Sequence, residues 1–409
     1  MTWNEDMCRF VTEHIADDTA RLLLSANRYP GIDMPFAVEQ IEARRRIRTK
    51  LPQWYALPRL LMGGRIAAEQ CSSEQTARFK RSVMLTDAHS LCDMTGGFGV
   101  DFWYMSQGMS RAIYTERQHS LCEVVNHNFP ILAAEMIDSL ATPNVTTHID
   151  IREGVSTELP VPDVDVIYID PARRATDGSR VYEISDCEPN VIEWQDELLS
   201  HCRQLIVKVS PMADITRTIA LMKGVKEVYV LSARGECKEL LLVQIPGYRD
   251  SITVHCIDLL IERTIQFHFP LSATPCPQPV LADVISRYFY EPDVSIMKAQ
   301  GFGALSLAFG VKMLDRDCHY FTSEVYYADF PGRIFEVEEQ IEFSSRNLRR
   351  LKSLIPQANI ACRNFILSPD ELRARSAIRD GGNVYLFGAS LAGVGPVLLR
   401  CRKVDASCS

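Results

Sequence analysis

Between Ser90 and Pro211 the sequence alternates short apolar runs with segments of helical periodicity. The runs are Ser90–Asp93, Ala112–Thr115, Val145–Ile149, Val164–Ile169 and Leu205–Val209. Helical spacing shows between them, as in Leu121, Val124 and Val125, and again in Val191, Trp194 and Leu198. Runs of this length alternating with helices predict a parallel sheet covered on both faces. The block ends differently. Val225–Leu231 and Glu239–Ile245 are β-rich and joined by Ser232–Lys238 with no helix between. So short a connection permits only an antiparallel pair. The expected core is an open α/β sheet with an antiparallel last strand.

The flanks read differently. Apolar residues recur at helical spacing in Phe10, Ile15, Leu22 and Leu23, and in Phe36, Val38, Ile41 and Ile47. Pro30-Gly31, Pro52, Pro58 and Gly63-Gly64 break these helices. Ser72 or Ser73, followed by Glu74 and Gln75, reads as the capped start of a helix running to Val83. After Pro246-Gly247 the composition shifts, and the prolines of 271–279 (Pro275, Pro277 and Pro279), with Pro270 just before, mark a boundary or loop. The last segment reads α-β-α-β-β. A helix starts at Ser344 or Ser345, Ala358–Phe365 is a strand, and Ser368-Pro369-Asp370-Glu371 is a capping box. Asp380-Gly381-Gly382 is a turn before Val384–Phe387, and Val397–Arg400 is the last strand. Four regions are expected: a helical one at 1–82, the sheet at 83–247, and small α+β regions at 248–335 and 336–409.

Among the 409 residues no apolar run approaches the ~18 residues a membrane helix needs. Met1 to Phe10 carry Glu5 and Asp6 and no basic start, which speaks against a secretory signal. The 13 cysteines contain no C-x-x-C pair, so neither a zinc ribbon nor a thioredoxin-like site is expected. Thiols scattered in this way point to a reducing, cytoplasmic setting. The net charge of −8 hides two basic stretches. From Glu342 to Ser409 there are 11 basic and 5 acidic residues, and from Ile41 to Arg81 there are 10 and 3. Basic groups gathered in this way suit a polyanion such as RNA, although solvated helix faces would leave the same record.

In an open parallel sheet, ligands bind outside the carboxyl ends of the strands. The unusual residues fall there. Asp93-Met94-Thr95-Gly96-Gly97-Phe98-Gly99 follows the first strand. It does not meet the dinucleotide pattern G-x-G-x-x-G, because Phe102 stands where the third glycine would be. Asp93 would repel a pyrophosphate and attract an ammonium, which favours a cofactor carrying an amino acid, such as S-adenosylmethionine. Glu116 could accept hydrogen bonds from ribose hydroxyls, and Asp150 one from an adenine amino group. Asp170 precedes Pro171, which restricts its backbone. Its carboxylate could hold or deprotonate an acceptor amino group, while Arg173 and Arg174 could clamp a phosphate.

These residues resemble the successive motifs of class I S-adenosylmethionine-dependent methyltransferases: the Asp93–Gly99 segment, Glu116, Asp150 and Asp170-Pro171-Ala172-Arg173. The resemblance implies a Rossmann-like methyltransferase sheet. The whole chain also resembles an uncharacterised bacterial methyltransferase family. That family joins this core to a ferredoxin-like segment and a C-terminal THUMP-like domain. The resemblance rests on Gln70-Cys71-Ser72-Ser73-Glu74-Gln75, Tyr290-Glu291-Pro292, Phe330-Pro331-Gly332-Arg333 and Arg363-Asn364-Phe365. It implies that the basic tail binds RNA, either ribosomal or transfer RNA. The cofactor-binding residues expected are Asp93, Thr95, Gly97, Phe98, Gly99, Glu116, Arg117, Asp150 and Ile151. The catalytic residues expected are Asp170 and Pro171, the substrate-binding ones Arg173 and Arg174, with no metal ligand.

Asp-Pro-Ala-Arg is similar to a motif of RNA uracil-C5 methyltransferases, which need a cysteine shortly after the next strand. Here that region reads Val207-Lys208-Val209-Ser210-Pro211-Met212. A serine hydroxyl is far less nucleophilic than a thiolate, so a covalent adduct is disfavoured. Direct in-line transfer to RNA is the expected reaction. A small-molecule or protein methyltransferase, and a module that binds cofactor or RNA without transfer, stay open.

Overall fold

The computed structural model describes residues 3–136, 147–173, 183–261, 263–271 and 277–404. They divide into two compact units, Met1–Lys226 with Leu241–Asp250, and Glu227–Leu240 with Ser251–Ser409.

The first unit opens with helices α1 (Glu5–Glu13), α2 (Thr19–Leu24), α3 (Met34–Ile47), α4 (Pro52–Tyr55), α5 (Gly64–Gln70) and α6 (Glu74–Val83). Their starts are chemically marked. The side chains of Asn4, Asp18, Asp33 and Ser73 each accept a backbone N–H of the following turn. Ser73, not Ser72, caps α6. Part of the basic stretch turns inward. Arg44 is buried, and its guanidinium donates to the carbonyls of Tyr55, Leu57, Pro58 and Leu60 at 2.9–3.2 Å. A five-donor fork is suited to collecting the carbonyls of an irregular segment. Lys80 is also fully buried. The stretch is thus less of an electrostatic face than its charge count suggests.

The sheet follows: β1 (Ser90–Asp93), α7 (Val100–Ser106), β2 (Arg111–Glu116), α8 (His119–Glu135), β3 (His148–Glu153), β4 (Val164–Ile169), the paired two-residue strands β5 (Ala172–Arg173) and β6 (Cys187–Glu188), α9 (Val191–Ser200), β7 (Cys202–Val209), α10 (Ile215–Leu221), β8 (Val225–Ala233) and β9 (Glu236–Gln244). The order within this unit is β9-β7-β4-β1-β2-β3. The four pairings from β7 to β3 are parallel, as the crossover helices require. β8 and β9 are joined at Arg234-Gly235, both left-handed (φ 55° and 75°), the geometry of a two-residue hairpin turn. The third strand is displaced from its expected place. It runs His148–Glu153 rather than Val145–Ile149, and Val145 lies outside the described residues. The reason is position. β3 is the edge strand, and its residues are only partly buried or exposed, so no apolar run marks it.

The second unit holds most of β8, from Glu227 on, with β10 (Ile252–Leu259) parallel to it and β11 (Thr264–Leu271) antiparallel to β10. Then come β12 (Tyr288–Pro292), α11 (Val294–Ala299), α12 (Phe302–Phe309), β13 (Lys312–Met313), β14 (Phe321–Ser323), β15 (Gly332–Glu342), α13 (Ser345–Leu354), β16 (Gln357–Cys362), α14 (Pro369–Ser376), β17 (Arg379–Leu391) and β18 (Gly395–Lys403). Their sheet has the order β13-β14-β12-β15-β18-β17-β16. The α-β-α-β-β pattern is present, and Ser368 with Glu371 forms the full capping box of α14. Asp380-Gly381-Gly382 is not a turn before a strand but an interruption inside β17. Ala358 pairs with Asp380 and Asn359 with Tyr385, while both glycines are left-handed (φ 90° and 83°).

Three of the family-like segments meet at one carboxylate in this unit. Glu291 on β12 is 7% exposed and is gripped by Arg333 of β15 and by Arg363, just past β16. A Cβ on Gly332 would lie 2.2 Å from the Glu291 carbonyl oxygen, so only glycine lets β15 pass there.

Candidate methyl-transfer site

The strand registers build the site in two rows. Tyr114, Asp93 and Tyr168 lie side by side on β2, β1 and β4, with Ile151 beyond Tyr114 and Ile206 beyond Tyr168. Two residues on, the same face reaches the carboxyl ends of the strands. Glu116 ends β2, Thr95 follows β1, Asp170 follows β4, and Lys208 lies next to last on β7. Pleating turns alternate residues to opposite faces, so this spacing keeps all of them on one side.

Hydrogen bonds join these residues. Thr95 N–H donates to Asp93 Oδ1 at 2.9 Å, and the Thr95 hydroxyl accepts the Asp170 N–H at 2.6 Å. Gly97 N–H donates to Glu116 Oε2 at 2.9 Å, Gln118 N–H to Glu116 Oε1 at 2.8 Å, and the Tyr114 hydroxyl to the Gly97 carbonyl at 2.6 Å. Asp93 is 1% exposed and its Oδ2 is buried without a partner among the described residues. Burial pushes its pKa well up, the Thr95 N–H opposes this, and the nearby charges of Asp101, Asp170 and Glu116 add to the rise.

The three motif glycines do different work. A Cβ on Gly96 would lie 2.1 Å from the Tyr114 ring, and one on Gly99 2.8 Å from Val125. These two permit packing inside the protein. Gly97 has φ 55°, and a Cβ there would meet only the Thr95 carbonyl oxygen, at an ordinary 3.8 Å, so of the three it best suits a ligand's close approach. Phe98 packs edge-on to Trp54 of α4 at 5.4 Å, inside the helical region. Asp150 does not join the group. It lies on the alternate row, opposite Ile113, and its Oδ2 meets Arg152 Nε at 2.9 Å. Glu153 is the β3 acid that pairs with Glu116, and it binds His119 at 2.7 Å. Arg117 is half exposed and lies 3.5 Å from Glu188. Pro171 is buried. The Arg173 side chain and all of Arg174 lie outside the described residues.

Sequence reasoning misses Lys80, Asp101 and Lys208. Lys208 Nζ donates to Asp170 Oδ2 at 2.6 Å and lies 4.0 Å from Asp101 Oδ2. Asp101, in the first turn of α7, accepts from Lys80 Nζ at 2.9 Å and from the hydroxyls of Ser72 and Tyr168, each at 2.8 Å. Burial raises the Asp101 pKa, but the ammonium groups of Lys80 and Lys208 and the bonds from Lys80 and Ser72 outweigh it, so the net shift is down. One signal is readable in the sequence: Thr76, Ala77, Lys80 and Val83 share the buried face of α6, a lysine on a core stripe. Cys71, in the same segment as Ser72, feels the charges of Asp101 and Lys208, but burial pushes its thiol up, unlike an activated nucleophile. Among the described residues no group of three or more His, Cys, Asp or Glu side chains is arranged for a metal. No helix among them is long and apolar enough to cross a membrane.

Known proteins share this architecture. A crystal structure titled "putative methyltransferase from Porphyromonas gingivalis W83" is 35% identical, with a TM-score of 0.87 over 99% of this chain and 100% of that one. The chain belongs to that family. The family's C-terminal parts match separately: a THUMP domain-like model at residues 332–403 and a ferredoxin-like domain model at 288–331. Weaker likeness extends to the type I restriction-modification methyltransferase subunit of Streptococcus thermophilus (11% identity, 46% of this chain and 47% of that one, TM-score 0.32). It also reaches the Pyrococcus abyssi tRNA (uracil-54, C5)-methyltransferase crystallised with S-adenosyl-L-homocysteine (13%, 46% and 41%, 0.30). Likeness that weak says nothing of function. A search of curated proteins gave no match. The fold is that of a Rossmann-like methyltransferase.

The site fits a cofactor bearing an ammonium. A buried carboxylate oxygen without a donor among the described residues, in a motif with a left-handed glycine that has only an ordinary contact at its Cβ position, offers what such a group needs.

Proposed function

We propose that this chain is an S-adenosylmethionine-dependent methyltransferase acting on RNA by direct in-line transfer. The observation that carries the reading is the unpartnered Oδ2 of Asp93, set in the row of Tyr114 and Ile151 at the carboxyl end of β1. In this reading Asp93 receives the cofactor's ammonium, Gly97 admits its backbone approach, and Glu116 accepts from ribose hydroxyls with its remaining lone pairs. Bound there, the cofactor supplies a methyl group activated by a sulfonium charge. Asp170 and Pro171 stand at the edge where the acceptor would enter, and the protein's task is alignment and exclusion of water.

RNA is favoured over other acceptors by α13. Arg346, Arg349, Arg350 and Lys352 are exposed on it, and none makes an ion pair among the described residues. Leu348 and Leu351 anchor the opposite face. Four exposed cations on one helix suit a phosphate backbone. The reading is tested by transferring tritiated methyl groups from S-adenosylmethionine into RNA, protein and metabolite fractions of cells lacking the protein. Label should enter RNA. Label in protein or metabolites would favour the second reading, and cofactor binding with no label anywhere would favour a binding module.

A further inference from the structure

The buried pair under the site is costly, because two charges leave water, and such pairs add little net stability. Lys80 is fully buried and the Asp101 side chain nearly so. What the pair achieves is placement. Asp101 is fixed from three sides by Lys80, Ser72 and Tyr168, and its carboxylate faces Lys208 at 4.0 Å. Lys208 in turn occupies Oδ2 of Asp170, while Oδ1 has no partner among the described residues and the Asp170 side chain is 39% exposed. The Asp170 backbone is held separately, by Thr95 and by the buried Pro171 that follows.

We propose that Lys208 is the positioning residue of the transfer: it pins Oδ2 of Asp170 and leaves Oδ1 turned outward, so that the acceptor is a neutral nitrogen carrying an N–H. This rests on the methyltransferase reading and deepens it. With Oδ2 held by Lys208, the outward Oδ1 is left to accept the acceptor's N–H and so orients its lone pair toward the methyl group. The nitrogen lone pair forms the bond to the methyl carbon as the carbon–sulfur bond breaks and its electrons stay on sulfur. The nitrogen, now cationic, then releases its proton to Oδ1 and on to water.

The test compares K208M, K208R, D170N and the double variant K208M/D170N in the full chain. Three quantities are measured: S-adenosylhomocysteine affinity by calorimetry, tritiated-methyl incorporation into total RNA from cells lacking the protein, and thermal unfolding. Misplacing a reacting group costs on the order of 100-fold, so K208M should lose about that much in kcat with KM and S-adenosylhomocysteine affinity little changed. K208R should recover most of the loss, and the double variant should be no worse than D170N. In the free protein the unfolding effects of K208M and D170N should be non-additive, as for any contacting pair. Full transfer by K208M, or losses that multiply in the double variant, would overturn the proposal while the methyltransferase reading stands. If the unsubstituted protein binds no S-adenosylhomocysteine, that reading fails on its own. Additive unfolding effects would then overturn the Lys208 pairing independently.

Discussion

The Thr95 hydroxyl accepts the Asp170 N–H at 2.6 Å, which ties the loop after β1 to the end of β4. Through its own N–H the same residue holds Asp93. One small side chain thus sets the spacing between the proposed ammonium site and the proposed transfer site. T95V keeps the shape and removes the acceptor, leaving the Asp170 amide unpaired at a cost of about 1–2 kcal/mol. Chemical denaturation should show that loss, and transfer should fall further than S-adenosylhomocysteine affinity.

Asp93 gives a pH signature. Its pKa in the folded chain is raised, so between the ordinary carboxyl pKa and the raised one the folded state holds more protons than the unfolded state. Stability supplied by this group is therefore present at low pH and lost as pH rises through that window. D93N removes the titration. Measured by denaturation from pH 4 to 7, the stability of D93N relative to the unsubstituted protein should rise with pH. Its S-adenosylhomocysteine affinity should fall by at least about tenfold, since a charge-assisted bond is removed. A D93N protein that binds as tightly as the original would rule out the ammonium role.

The motif glycines should separate on substitution. G96A must displace the Tyr114 ring and should unfold the protein at a temperature many degrees lower. G97A makes only an ordinary contact, 3.8 Å from the Thr95 carbonyl oxygen, and carries the left-handed backbone penalty of about 1–2 kcal/mol. Melting curves decide between them, and equal losses would contradict the division of labour between Gly96 and Gly97.

In the second unit Glu291 should matter for folding. E291Q leaves Arg333 and Arg363 facing a neutral amide and should destabilise by about 2 kcal/mol, discounted from a fully buried pair because Arg333 is half exposed. Denaturant titration measures this directly.

The α13 face should govern RNA affinity. R346E/R349E/R350E keeps Leu348 and Leu351 in place, so circular dichroism should be unchanged. Fluorescence anisotropy with a labelled single-stranded RNA should show weaker binding. The slope of log affinity against log salt should be shallower by about 0.7 for each phosphate that the helix no longer neutralises. An unchanged slope would remove this helix from the RNA-binding reading.

The alternation of apolar runs and helices by itself determined the parallel sheet and the β8–β9 hairpin, and capping chemistry placed helix starts at Ser72 or Ser73, at Ser344 or Ser345 and at Ser368, because these depend on patterns within a few residues; the structure chose Ser73 and Ser344. Asp93, Glu116 and Asp170 were legible for the same reason: each ends or follows a strand. Tertiary structure decided the rest. It extended β3 past Asp150, because an edge strand needs no apolar run. It turned Arg44 and Lys80 inward, since a charge count cannot tell a solvated cation from one that meets buried oxygens. It brought Ser72 and Lys80, Asp101, and Lys208 into one chain of contacts with Asp170 from three separate segments. Ion pairs over such sequence distances form only when folding removes water from between them, and no local pattern records that event.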